Sequence, residues 1–173
     1  MIIWVTGISA AGKTTLCSAI RGLLKPRVPE LVVLDGDVVR AAFGNDLTHT
    51  EEDRVVQVNR LQSMAKVLEA QGIVVLVGVL YSHPELLAWN RDNFEEYFEV
   101  YLKISVDAAA ARDPKGLYAM ARAGDMPNVV GIDIPWYEPE RPDLVVDQEN
   151  PDEPDVEARR IIETIPRFRD IMG

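Results

Sequence analysis

Eight residues near the start of the chain, Gly7-Ile8-Ser9-Ala10-Ala11-Gly12-Lys13-Thr14, fit the spacing Gly-x-x-x-x-Gly-Lys-Thr. Glycine lets the backbone turn tightly enough for successive N–H groups to point at phosphate oxygens, and the positive end of a following helix adds to that field. The expected ATP-binding segment therefore includes Gly7, Ser9, Ala10, Ala11, Gly12, Lys13, Thr14 and the adjoining Thr15. Lys13 is expected to reach the β- and γ-phosphates and Thr14 to ligate magnesium. A chance glycine turn is the bland alternative, but an apolar run before the motif and a helix-period stretch after it argue for ATP or GTP binding.

A phosphate-binding loop does not choose between a kinase, a hydrolysing switch and a motor, so other residues must decide. Leu34-Asp35-Gly36-Asp37 closes a second apolar run, at the end of a strand where a carboxylate projects into a ligand crevice. Asp37 there can orient or deprotonate an acceptor hydroxyl, and Asp35 can organise magnesium and its waters. Either carboxylate can instead cap a helix beginning near Val38.

The elements that would position these groups alternate along the chain. Short β-branched runs at Ile2–Thr6, Leu31–Leu34, Ile73–Val77, Val100–Ile104 and Leu144–Val146 predict five strands, nearly all apolar and so covered on both faces. Helix-period stretches between them predict βαβ units and a parallel sheet, an α/β fold whose strand ends line the crevice. Lys13 to Leu24 reads as the first helix. Thr50-Glu51-Glu52-Asp53 reads as a capping box opening a helix with Val58, Leu61, Ala65 and Leu68 on its apolar stripe and Gly72 as its stop. Arg54 and Gln57, three residues apart, share a different face that can look into the crevice.

A length of 173 residues with 47% hydrophobic content suits one domain, residues 1–173. A net charge of −10 argues against a nucleic-acid polymer or an anionic membrane as partner, while leaving room for a small anion held by local cations. The single cysteine, Cys17, excludes an internal disulfide and is expected to be a small buried hydrophobe. No basic leader or membrane-length apolar run is present, so the sequence reading is a cytoplasmic protein.

Arg112-Asp113-Pro114-Lys115-Gly116-Leu117-Tyr118 followed by Ala121-Arg122-Ala123-Gly124 resembles the lid signature of adenylyl-sulfate kinases. Leu34-Asp35-Gly36-Asp37 with Arg40, Asp53-Arg54, and Gly131-Ile132-Asp133 with Pro135 and Glu138 stand at that family's spacings, so the match runs to about Asp147. The resemblance implies a P-loop NTPase three-layer αβα sandwich with a five-stranded parallel sheet and a helical lid at about 112–138. It also implies ATP with Mg2+, a small anionic nucleotide acceptor phosphorylated on its 3′-hydroxyl, and by family habit a homodimer. By position it places Arg40, Arg54, His49, Gln57 and Val129 with Asp35 and Asp37 around the acceptor, Lys115 near the phosphates, and Arg112 against the ATP base. Planar guanidinium forks suit phosphate oxygens and purine faces, although each arginine could instead form a solvated surface ion pair.

Departures from the family pattern fall on the acceptor side. Val38 and Gln57 stand where the family has Asn, Tyr81-Ser82-His83-Pro84 replaces a Ser-Pro-Tyr-Arg type segment, and His49 and Val129 replace two aromatics that sandwich the acceptor's adenine. His49 can stack as an imidazole or be an ordinary loop histidine, and Phe43, Tyr81 or Trp136 can supply another platform. Trp136-Tyr137 can cover a base or pack the lid hinge, and His83 before Pro84 is expected to shape a turn. Adenylyl sulfate is the default acceptor. A kinase for another nucleotide-linked acceptor, such as a cytidine diphosphate derivative, is the main alternative, and a non-catalytic nucleotide-binding regulator the other.

Overall fold

The computed structural model describes residues 1–171, so the expected domain limit at Gly173 lies outside the described residues. Five strands form one parallel sheet in the order β2-β3-β1-β4-β5: β1 Ile2–Thr6, β2 Leu31–Asp35, β3 Val74–Val79, β4 Tyr97–Lys103 and β5 Leu144–Asp147. Parallel registers Ile2↔Val75 and Ile2↔Tyr97 place β1 between β3 and β4. The first connection, α1 (Lys13–Leu24), runs outward to β2, and the return through α2 (Gly36–Ala42) and α3 (Glu51–Glu69) runs back to β3. Right-handed crossovers in opposite directions must lie on opposite faces of the sheet. Accordingly α1 packs beside α7 (Pro154–Thr164), while α3 packs on β3 beside α4 (Pro84–Asn93). Between β4 and β5 come α5 (Val106–Arg112), α6 (Leu117–Ala123) and an irregular stretch to Leu144.

The core explains the strand sequences. Ile2, Ile3, Trp4 and Val5 in β1 and Val74 to Val77 in β3 are fully buried, as strands sandwiched between helix layers must be. The expectation that all five strands are covered on both faces fails at the edges, where β2 and β5 are only partly buried. Strand ends also shift. The third strand runs Val74–Val79 and not Ile73–Val77, because pairing with β1 continues to Thr6↔Val79. The fourth starts at Tyr97 and not Val100. Its Glu99 is buried yet satisfied: Tyr97 Oη donates to it at 2.9 Å and Arg91 Nη2 pairs with it at 3.3 Å. Cys17 is buried in the core, and burial raises its thiol pKa to about 12, so it behaves as a small hydrophobe.

Local signals act as expected elsewhere. Thr50 Oγ1 accepts from Asp53 N at 3.3 Å and caps α3, whose Val58, Leu61 and Ala65 are buried against the sheet. His83 Nδ1 accepts from Glu85 N at 3.3 Å with Pro84 at the first helical position, so this histidine shapes the turn into α4. The acidic connection after β5 is mostly exposed, except that Gln148 is buried with its amide on the Glu157 carboxylate.

Candidate active site

All five strands point their carboxyl ends at the same rim, and two clefts open there. The donor-side cleft, about 390 Å³, is lined by the phosphate loop together with Asp35, Gly78, Arg112 and Lys115. Gly12 takes φ +91 and Ala10 φ +60, so the loop curls in the left-handed region that exposes consecutive N–H groups before α1 begins at Lys13. Ser9, Ala10, Gly12, Lys13, Thr14 and Thr15 line this cleft. Gly7 and Ala11 do not, and each has a packing reason. A side chain at Gly7 would meet Leu102 O at 3.0 Å, and Ala11 is buried in the core.

Lys13 Nζ donates to Gly7 O and Ile8 O, both at 2.7 Å, which holds the ammonium along the inside of the loop. Burial pushes its pKa from the ordinary 10.5 down to about 8, against the opposing pull of Cys17, Asp37 and Asp35. Asp35 proves to be the helix cap: its Oδ1 accepts from Asp37 N at 2.9 Å and Val38 N at 3.2 Å, so α2 starts at Gly36 and not near Val38. The other oxygen, Oδ2, accepts from Thr14 Oγ1 at 3.5 Å, so the two sequence roles for Asp35 are compatible. Asp37 caps nothing and is left in the cleft wall.

The acceptor-side cleft, about 290 Å³, is lined by Arg40, His49, Arg54, Gln57 and Val129 together with aliphatic side chains from α3, β3 and the lid. Neither Arg40 nor Arg54 forms an ion pair among the described residues; both spend donors on backbone carbonyls. Arg40 Nη1 reaches Leu47 O at 3.0 Å and Thr48 O at 2.7 Å, while Arg54 Nε reaches His49 O at 3.0 Å and its Nη2 reaches Asn128 O at 2.8 Å. Arg54 is only 9% exposed, and burial first, then the Arg40 charge, lowers its pKa from the ordinary arginine value. Two guanidinium groups with no ion-pair partner among the described residues face one cleft and form a site for an anion. The same burial and the same two arginines depress the His49 imidazole, which favours its neutral form. Gln57, 5% exposed, ties α3 to Gly36 O at 2.9 Å.

The clefts share one wall: Ser9, Gly36, Asp37, Leu80 and Lys115 line both. Lys115 is presented there by a turn in which Asp113 accepts from Lys115 N and from Tyr118 N, each at 3.0 Å. Tyr118, fully buried, donates its hydroxyl to Ser9 O at 3.0 Å and so ties the lid to the phosphate loop.

Among the sequence candidates for a base platform, only His49 and Tyr81 line the acceptor cleft. Phe43 lies under the Arg60 guanidinium at 4.0 Å, Trp136 packs on Tyr101, and Tyr137 meets His83 edge to ring, so the last two brace the lid's return. Val38 is 67% exposed and outside both clefts. Arg112 lines the donor cleft and donates from Nη2 to Glu149 O at 2.7 Å. Sequence reasoning missed Leu80 in the shared wall, and Met126 and Pro127 in the acceptor cleft. Their apolar types carry no chemical signal.

Comparison with known proteins places the chain in one kinase family. The family model for adenylylsulphate kinase matches residues 1–147. An adenylyl-sulfate kinase of Geotalea uraniireducens (strain Rf4) is 40% identical over 149 residues, spanning 85% of this chain and 72% of the relative. A probable adenylyl-sulfate kinase of Bacillus subtilis (strain 168) is 39% identical over 148 residues, 84% and 75% of the two chains. The solved structure of a Mycobacterium tuberculosis APS kinase in complex with AMPPNP and APS superposes with a TM-score of 0.84 at 33% identity, covering 94% of this chain and 95% of that one.

Proposed function

The chain belongs to the adenylylsulphate kinase family, and on that premise we propose how its residues transfer the γ-phosphate of ATP to the 3′-hydroxyl of adenylyl sulfate. The observation that carries the mechanism is the shared wall, because a donor in one cleft and an acceptor in the other would meet at Asp37 and Lys115. The phosphate loop holds the triphosphate through its N–H groups and Lys13. Arg40 and Arg54 hold the phosphosulfate of the acceptor, and His49, Gln57 and Val129 border its nucleoside. Asp37 orients the 3′-hydroxyl in line with the γ-phosphate and takes its proton, while Lys115 places charge beside the transferring group. Arg112 lies against the ATP base.

Hard oxygen ligands suit magnesium, and Thr14 Oγ1 with Asp35 Oδ2 supplies them at the mouth of the loop. These oxygens would hold Mg2+, which would supply charge neutralisation for the triphosphate. The protein acts as one kinase domain with a lid over about 112–138 that excludes water and so suppresses wasteful hydrolysis. Among the described residues no helix is long and apolar enough to cross a membrane. A cytoplasmic homodimer fits the family.

The relatives favour adenylyl sulfate over a cytidine-type acceptor, since those named above are adenylyl-sulfate kinases. The test is kcat/KM for adenylyl sulfate beside cytidine, uridine and guanosine diphosphate derivatives. Adenylyl sulfate should lead the panel. Preference for another nucleotide would mean that His49 and Val129 have re-specified the base, and acceptor-independent ATP loss alone would sink the transferase assignment.

A further inference from the structure

Residues 126 to 130 form one wall of the acceptor cleft, yet they belong to an irregular stretch in which a single isolated bridge at Val130 is the only strand pairing among the described residues. What holds them is a carboxylate. Asp133 Oδ2 accepts from Asn128 N at 2.5 Å and Oδ1 from Val129 N at 2.6 Å, closing a turn in which Asn128 adopts φ +66 and Gly131 φ +93. A short parallel bridge, Val130↔Ile134, and Gly131 N to Ile134 O at 2.8 Å complete it. The far side of the same turn meets the acceptor site directly, because Asn128 O accepts from Arg54 Nη2 at 2.8 Å, 74 residues away in sequence.

We infer that Asp133 is a positioning residue for the acceptor: it fixes the Asn128–Val129 peptide, and through the Asn128 carbonyl it sets the plane of the Arg54 guanidinium. Arg54 carries five N–H donors in a rigid fork. Nε on His49 O and Nη2 on Asn128 O anchor the guanidinium at two points, and Arg54 lines the cleft with donors left over from these two bonds. An unfixed Asn128 peptide would release one of these two anchors, and the fork would lose its aim at the phosphosulfate. Asp133 also places Val129, the cleft side chain that stands where the base must lie. Asp133 is not part of the acceptor cleft's lining, and its carboxylate acts through two backbone amides and one carbonyl. Among the described residues no hydrogen bond ties this turn to the phosphate loop, so the effect is confined to the acceptor side.

The inference rests on the acceptor assignment above, and the experiment separates the two. Steady-state kinetics are measured for the wild type, Asp133→Asn and Asp133→Ala, with KM for adenylyl sulfate and KM for ATP determined separately. Asp133→Ala removes both acceptors and should raise KM for adenylyl sulfate about tenfold or more while KM for ATP stays within about twofold. Asp133→Asn keeps one acceptor oxygen and should fall between, a partial rescue that a merely unfolded loop does not give. If Asp133→Ala does not fold, the Asn variant alone still decides through the ratio of its two KM values. A double-mutant cycle with Arg54→Lys should be non-additive, because both changes disturb one guanidinium. Equal changes in both KM values, or an additive cycle, overturns the inference while leaving the kinase assignment standing. A wild type that phosphorylates no adenylyl sulfate overturns that assignment and this inference with it.

Discussion

Replacing Lys13 by Met should make the protein inactive and more stable at once. The ammonium is half-buried along the inside of the phosphate loop, and desolvation there lowers its pKa from 10.5 to about 8, which corresponds to roughly 3 kcal/mol of preference for the neutral amine. The unfolded chain therefore binds more protons than the folded one between about pH 8 and 10.5, and wild-type stability rises across that window as pH increases. At pH 7 the full cost of the buried charge is present, and Met, similar in length, removes it. The offset is small: both carbonyls lose this donor, but Ile8 O keeps a bond from Ala11 N at 3.3 Å, so the main loss is at Gly7 O, about 1–2 kcal/mol. The variant should gain about 1–2 kcal/mol at pH 7, raising Tm by roughly 2–8 °C. The gain should vanish near pH 10. Transfer should drop at least about a hundredfold, because no other loop side chain can follow charge onto the γ-oxygens. Thermal melts at pH 7 and pH 10, paired with an ATP-dependent transfer assay, read both effects. A Tm that falls at pH 7, or a difference that does not change with pH, refutes the buried-charge reasoning; near-normal transfer refutes the donor site.

Asp37→Asn should lower kcat about a hundredfold or more with KM for ATP little changed, and a variant that binds ATP poorly but turns over normally would move Asp37 to the metal site. His49→Phe should lower KM for adenylyl sulfate about fivefold by restoring a flat apolar ring, equivalent to about 1 kcal/mol of stacking; an unchanged or raised KM would show that the base lies elsewhere. Gly131→Ala should destabilise the fold by about 1–3 kcal/mol, since φ is +93 and the new Cβ would meet Val106 Cγ2 at 3.0 Å, and a melt within a degree of wild type would contradict it.

Much of the scaffold was legible because its signals are local. The phosphate loop and α1 have the limits read from the glycine pattern and the helical period, and Thr50 caps α3 as its sequence spacing implies. The start of β4 was not legible, because Glu99 looks like a strand breaker until Tyr97 and Arg91 are seen to satisfy it. Asp35 posed a choice between capping and metal binding that a sequence cannot resolve, since the answer depends on its two oxygens facing different partners. The acceptor platform was similarly ambiguous: Phe43, Tyr81 and Trp136 are equivalent as letters, and only tertiary packing sends the first under Arg60, the last onto Tyr101, and Tyr81 to the cleft. The tethers Tyr118 to Ser9 and Arg54 to Asn128 join residues 109 and 74 positions apart, beyond the reach of any local pattern.

The transfer proposed at the wall shared by Asp37 and Lys115 delivers the phosphate to the 3′-hydroxyl of the acceptor. Wild-type protein incubated with Mg-ATP and adenylyl sulfate, with the product resolved by phosphorus and proton NMR, tests this directly. A single new phosphomonoester coupled to the ribose 3′ proton is the expected result. A phosphate at the 2′ position, free inorganic phosphate without acceptor product, or no reaction at all would contradict it.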